Sequence, residues 1–296
     1  MAQERKLFGI LAHPVGHSMS PIMHNEAFAK LGLAYYYHPF DVPPIHLADA
    51  VQALKALGIA GVNVTIPHKE SIIPYLDHLD PEAEAIGAVN TVVLTQEGRL
   101  KGYNTDGAGY IQSLRKETGI ELNHKKVLML GAGGAAKAIG VYLLKEGIAE
   151  LVIANRTKEK AVRLAQHLKR YQERRADKQA KGEQTISVLD WPLVQQTGGE
   201  GFQLIINTTS VGMWPHVDQS PLALKGLGSD TVVSDIVYNP RETLFLKQAK
   251  AQGAKIHYGL GMLIYQGALA FKLFTGYEAP VDTMEAAVRR FLEENR

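Results

Sequence analysis

The chain has 296 residues, enough for two domains, and its 46% hydrophobic and 21% charged residues describe an ordinary globular protein. A formal net charge of +2 is too small to make nucleic acid or a membrane surface a general partner. There is no cysteine, which excludes disulfides, thiolate chemistry and cysteine-based zinc sites and suits a reducing compartment.

Met1–Lys6 leads into a short apolar stretch without the h-region of a signal peptide, and no segment reaches the length of a membrane span. The expected location is therefore the cytoplasm. Leu7–Ala12 reads as a buried strand. His13–Ser20 is a loop of turn residues, and Pro21 opens a helix through about Lys30, closed by Gly32. Ser18 and Ser20 are two hydroxyls one residue apart that can donate to a carboxylate without adding charge. Read alone, Ser20 is better taken as the cap of the helix that Pro21 begins. Tyr35–Phe40 is a strand, Pro43–Leu57 a helix and Gly61–Ile66 another strand, on which alternation puts Asn63 and Thr65 on one side. Pro67-His68-Lys69 is expected to start a helix. There the dipole disfavours a cation, so Lys69 is either a usable acid or base or an ordinary solvated lysine. A short helix over Pro81–Ile86 precedes a hairpin of Val89–Leu94 and Leu100–Tyr103 turned by Gln96-Glu97-Gly98. Asn90 sits at the start of its first strand. Asp106 precedes a helix over Gly107–Glu117; it is either that helix's N-cap or the partner that holds Lys69.

A second β-α-β series begins with Val127–Leu130, which ends at Gly131-Ala132-Gly133-Gly134-Ala135-Ala136 and then a helix. Strand, glycine turn and helix in that order form the context of a dinucleotide fingerprint. Gly131 permits the tight turn, Gly133 lets the backbone approach a pyrophosphate, and Ala136 takes the small position where helix packs on strand. The next strand, Leu151–Ala154, ends at Asn155-Arg156-Thr157, with Lys160 one turn on. An NAD site carries a carboxylate at this place, whereas Arg156 can grip a 2′-phosphate bidentately, which points to NADP. Lys158–Arg175 is helical. The basic run through Lys169, Arg170, Arg174, Arg175, Lys178 and Lys181 has little aromatic interleaving and reads as a solvated helix end and loop. Ile186–Leu189, Leu204–Asn207, Val232–Asp235 and Lys255–His257 are further strands; Glu242–Gln252, Leu260–Phe274 and Val281–Glu294 are helices. His13 and His17 lie in a proline- and glycine-containing loop and make no metal site, so no metal is expected.

Nine stretches, taken in order, resemble the shikimate dehydrogenase family: Ser18–Pro21, Asn63–Lys69, Gly87–Thr91, Gly102–Gly107, Gly131–Ala135, Asn155–Thr157, Asn207–Met213, Asp235–Pro240 and Gly259–Gly267. The resemblance runs from about Phe8 to Gln266. It implies an α/β chain of two domains. One is an N-terminal mixed α/β substrate domain over 1–106, completed by C-terminal helices in 241–296. The other is a Rossmann-like NADP-binding domain over 107–240. It implies reversible reduction of 3-dehydroshikimate to shikimate with NADPH, with Lys69 and Asp106 as the catalytic pair. Ser18 and Ser20 would bind the substrate carboxylate, and Thr65, Asn90, Asp106 and Gln266 the ring hydroxyls, with Tyr238 nearby. Gly131, Ala132, Gly133, Gly134 and Ala135 would hold the pyrophosphate. Asn155, Arg156, Thr157 and Lys160 would hold the ribose phosphate, and Ile236 and Gly259 would line the nicotinamide side. The expected partner is a small-molecule substrate, without nucleic acid or membrane and with a homodimer left open. Two alternatives stand beside this: a broader quinate/shikimate dehydrogenase, and a non-catalytic NADP-binding sensor. The charged stretch 169–184 departs from the family pattern as a surface extension.

Overall fold

The computed structural model describes residues 4–16, 18–176 and 184–294 and divides into two compact units. The first comprises residues up to Asp106 together with Ile264 onward; the second is Gly107–Leu263.

The first unit opens with β1 (Lys6–Ala12), α1 (Ser20–Lys30), β2 (Tyr35–Asp41), α2 (Leu47–Ala56) and β3 (Gly61–Val64). It continues with β4 (His78–Leu79), α3 (Pro81–Ile86), β5 (Thr91–Leu94) and β6 (Leu100–Tyr103). Its sheet runs in the order β2-β1-β3-β5-β6-β4, parallel through β2, β1 and β3 and antiparallel through β3, β5 and β6. One face buries Leu11, Val62 and Val92 with Val51 and Leu54 of α2. On the other, Phe8 lies 5.5 Å from Phe28 and 5.1 Å from Phe274 by ring centroids.

The strand β2 lies at the edge of this sheet. Such an edge invites pairing with another chain unless its polar groups are covered. Here Asn25 of α1 covers them: its amide donates to the Tyr37 carbonyl at 3.0 Å and accepts from the Tyr37 N–H at 2.8 Å. Pro39 removes one further donor.

The expected helix at Pro67 is absent. Residues 66–72 form turns, with His68 N–H to the Thr65 carbonyl at 2.8 Å, followed by a single 3₁₀ turn over Ile73–Tyr75. Pro74 gives the reason: inside a helix it would remove a hydrogen bond and crowd the preceding turn. Lys69 therefore does not sit in the first turn of a helix of its own.

The second unit begins in α4 (Asp106–Thr118) and continues through β7 (Lys126–Leu130), α5 (Gly134–Lys145), β8 (Glu150–Ala154), α6 (Lys158–Ala176) and β9 (Thr185–Val188). Then come α7 (Trp191–Thr197), β10 (Leu204–Asn207), β11 (Val232–Asp235), α8 (Leu244–Ala251), β12 (Lys255–His257) and α9 (Gly259–Thr275). The six strands are all parallel in the order β12-β11-β10-β7-β8-β9. This is the doubly wound order, with its switch point where β7 meets β10. Leu128, Ile205, Val233 and Phe245 are buried in its core.

The stretch 241–263, given by the sequence to the first domain, lies in the second unit. The cause is strand pairing: β12 adds in parallel to β11 and carries the preceding α8 with it. From Ile264 the rest of α9, and α10 (Val281–Glu294), belong to the first unit. Part of the charged stretch 169–184 falls at 177–183, outside the described residues; 169–176 end α6 and Gln184 precedes β9.

Candidate active site

The proposed acid–base pair forms. Lys69 Nζ donates to Asp106 Oδ2 at 2.6 Å, with the side chains only 17% and 5% exposed. Lys69 is held from its backbone, since its carbonyl accepts from the Val89 N–H at 2.8 Å. Asp106 opens α4, where the helix N-terminus favours a carboxylate. Its N–H donates to Asn104 Oδ1 at 3.1 Å, and its own oxygens accept from Lys69 and Asn90.

Asn90 is the hub beside this pair. It is just outside β5 rather than on it. Its Oδ1 accepts from the Thr105 N–H at 2.8 Å, which fixes the amide's orientation, because a backbone N–H can only donate. Nδ2 must then face Asp106 Oδ1 at 2.9 Å, Thr105 Oγ1 at 2.9 Å and Gln266 Oε1 at 3.3 Å. Lys69, Asp106, Asn90 and Gln266 are thus brought together from four places in the chain.

Ser18 and Ser20 are also adjacent: the Ser20 N–H donates to Ser18 Oγ at 3.3 Å. Ser20 is not the helix cap; Met19 holds that position without a side-chain bond. Thr65 lies one residue past β3 and is partly buried. The Ser20 hydroxyl acts instead on Tyr37, a residue the sequence reading did not select. Burial pushes the Tyr37 hydroxyl well above its ordinary value, so it stays protonated and donates to Asn63 Oδ1 at 2.7 Å. Asn63 Nδ2 in turn donates to the Asn90 carbonyl at 3.2 Å and to Thr91 Oγ1 at 3.0 Å. The signal for Tyr37 was alternation: of Tyr35-Tyr36-Tyr37 the second is exposed and the third fully buried.

In the second unit, the turn after β7 fits a dinucleotide's phosphates. Gly131 has φ of 113°, and a Cβ there would strike Thr208 Oγ1. A Cβ on Gly133 would meet nothing within 4 Å, so the backbone there is open to close approach. Gly133 is the N-cap of α5 and offers no side-chain acceptor, which leaves the N–H groups of Gly134 and Ala135 for an anion. At the end of β8, Asn155 Nδ2 donates to the Thr157 carbonyl at 2.8 Å. Asn155 and Arg156 line a cavity of about 400 Å³ with Lys158, Asp190 and Trp191. Lys158 is held by Asp190 at 2.7 Å. Thr157 and Lys160 are exposed and are not part of that lining. Asp190 and Trp191 were invisible as site residues because α7, which Asp190 caps, was not expected.

Ile236 donates its N–H to the Asn207 carbonyl at 3.1 Å, and Gly259 starts α9 where a Cβ would meet the Ile236 carbonyl. Tyr238 follows on the same loop, and burial raises its hydroxyl. It belongs to the second unit, unlike the other substrate residues of the resemblance. Immediately before Ile236, at the end of β11, is a buried carboxyl that the sequence does not single out. Asp235 accepts from Asn207 Nδ2 at 3.0 Å, from the Val237 N–H at 3.0 Å and from the Thr243 hydroxyl at 2.7 Å. Burial raises its pKa to about 7, against the lowering effect of those donors.

Among the described residues no group of three or more His, Asp or Glu side chains is placed to hold a metal ion. His13 pairs with Asp41 at 3.0 Å, and His17 lies outside the described residues. No helix among the described residues is long and apolar enough to cross a membrane.

Three family models match the chain: "Shikimate dehydrogenase substrate binding domain" over residues 10–92, "Shikimate / quinate 5-dehydrogenase" over 113–190 and "Shikimate 5'-dehydrogenase C-terminal domain" over 259–289. The shikimate dehydrogenase (NADP(+)) of Geobacillus kaustophilus is 47% identical over 283 residues, covering 96% of this chain and 97% of that one. A crystal structure of a shikimate dehydrogenase in complex with NADP+ is 44% identical with a TM-score of 0.86, covering 97% of this chain and 96% of the other. The Thermus thermophilus enzyme in complex with NADP(H) and shikimate is 37% identical with a TM-score of 0.81, covering 96% and 99%.

Proposed function

The chain belongs to the shikimate dehydrogenase family, and on that premise we propose that Lys69 and Asp106 are the acid–base pair with which it interconverts 3-dehydroshikimate and shikimate. NADP is the coenzyme and the enzyme is an oxidoreductase. The observation that carries the assignment is the 2.6 Å contact of a mostly buried ammonium with a buried carboxylate, beside Asn90 and Gln266.

Reduction of a ring ketone puts negative charge on its oxygen as hydride arrives at carbon. The reduced coenzyme supplies that hydride. Lys69 donates a hydrogen bond to the oxygen and then its proton, becoming a neutral amine; in the reverse direction it takes the proton from the hydroxyl. Asp106 holds Nζ in one place and stabilises its charged form, while Asn90 holds the second Asp106 oxygen. Asn90 and Gln266 present amides suited to ring hydroxyls, with Thr65 beside them, and Ser18 and Ser20 supply uncharged donors for the substrate carboxylate. Gly131–Ala135 would hold the pyrophosphate. Asn155 and Arg156 would hold the 2′-phosphoribose, supported by the cavity they line; Thr157 and Lys160, exposed nearby in the chain, would complete the set. Ile236 and Gly259 would face the nicotinamide, and Tyr238 the substrate.

A cytoplasmic location is part of this reading, supported by the cysteine-free composition. So is the lack of a nucleic-acid partner, supported by the small net charge.

The test is an activity assay with shikimate and quinate crossed against NADP and NAD. The expected order puts shikimate with NADP first. A faster quinate reaction would favour the broader enzyme, and NADPH binding without turnover would favour a sensor.

A further inference from the structure

His68 precedes the proposed acid–base lysine and is completely buried. Its Nε2 lies 2.7 Å from the Val42 carbonyl oxygen. A carbonyl only accepts, so Nε2 carries the hydrogen toward it, and the other ring nitrogen is Nδ1. That Nδ1 is buried and finds no hydrogen-bond partner among the described residues. An unpaired buried polar atom is destabilising, and an apolar ring of the same size would avoid it. Packing alone therefore does not account for an imidazole at this position.

What the imidazole adds is a fixed point for a turn. Lys69 is not on a helix, whose ladder would set its direction; it is on the irregular segment 66–72. That segment is tied at a few places only. The His68 N–H reaches the Thr65 carbonyl at 2.8 Å and the Ile72 N–H reaches the His68 carbonyl at 3.0 Å, both within the turn. Besides the His13 N–H to the Ile66 carbonyl at 3.2 Å, the bonds nearest Lys69 that tie this segment to its surroundings are Val89 N–H to the Lys69 carbonyl and His68 Nε2–H to the Val42 carbonyl. Val42 follows β2 directly, and its N–H is bonded to the Ala12 carbonyl of β1 at 2.9 Å. The imidazole thus anchors the lysine's turn to the ends of two neighbouring strands.

We propose that His68 is a positioning residue for Lys69: its Nε2–H bond to the Val42 carbonyl fixes the turn so that the ammonium meets Asp106 and the substrate oxygen in one geometry. The proposal rests on the assignment of Lys69 as the acid–base group.

The test compares kcat, shikimate KM and NADP affinity in the full-length wild type and four variants: His68→Phe, His68→Gln, Lys69→Ala and the double variant Lys69→Ala/His68→Phe. Phe keeps the ring volume and loses the donor; Gln can place an amide N–H where Nε2–H stood. Small misplacements of a catalytic group cost up to about 10²-fold, so His68→Phe should lose about tenfold or more in kcat with KM and NADP affinity little changed. His68→Gln should recover most of that loss. With the ammonium gone there is nothing left to position, so His68→Phe should change the residual rate of Lys69→Ala by less than about twofold, a non-additive result. An unimpaired His68→Phe, or an equal loss with and without Lys69, overturns the proposal. If His68→Phe does not fold, His68→Gln against His68→Asn decides it: the shorter Asn should be the slower, and equal rates overturn the idea. A Lys69→Ala enzyme at full kcat overturns both readings; a slow Lys69→Ala beside an unimpaired His68→Phe overturns only this one.

Discussion

Asn90 shows how one backbone donor decides a site's polarity. The Thr105 N–H takes the amide oxygen, so the NH₂ group is left for Asp106, Thr105 Oγ1 and Gln266. An aspartate at 90 would turn an acceptor toward Asp106 and loosen the grip on Lys69. On the coenzyme side, Arg156 is exposed at the end of β8 and lines the cavity. Arg156→Ala is expected to weaken NADP far more than NAD, measured as dissociation constants for both; equal losses contradict a 2′-phosphate contact. Asp235 yields a prediction about pH. Its folded pKa of about 7 lies above the ordinary 3.8, so its contribution to stability is complete below pH 3.8 and is lost as pH rises through 7. Relative to Asp235→Asn, the wild type should lose about 2–3 kcal/mol of unfolding free energy between pH 5 and pH 8. A difference that does not move with pH refutes a buried carboxyl that resists ionisation.

Among the elements, α9 ties the C-terminal part of the first unit to its beginning. Phe271 is fully buried, with its ring centroid 5.3 Å from Phe28 of α1 and 6.1 Å from His24. Phe271→Ala should cost about 3–5 kcal/mol in a denaturant titration, the usual range for a deleted core ring. A cost below about 1 kcal/mol would mean the site collapses around the gap. Elements with strong period were legible in the sequence. Val127–Leu130 and Leu204–Asn207 are apolar runs because their sheet is covered on both faces. The failures have physical causes. The two residues of β4 are too few to show a pattern. The helix α7 is seven residues with Trp191-Pro192 at its start, which reads as a loop. The expected helix at Pro67 ignored Pro74. The same expectation gave Lys69 the dipole of a helix it does not begin; Asp106 was legible as either an N-cap or its partner, and the resemblance chose the partner. Tyr37 was hidden because its role depends on Asn63, which is distant in sequence and adjacent only in the sheet.

For the molecule as a whole, Lys69 and Asp106 belong to the first unit and the glycine turn to the second, so the proposal draws on both. The family assignment fixes which reaction is run; the residues that run it are the proposal. The most direct measurement is the rate of NADPH oxidation by 3-dehydroshikimate, followed by the loss of the reduced-nicotinamide absorbance, for wild type and Lys69→Ala side by side. A positioned acid or base contributes about 10²–10⁴-fold, so the variant should lose that much in kcat while its KM for the substrate stays close to that of the wild type. A Lys69→Ala enzyme that turns over as fast as the wild type would contradict the account.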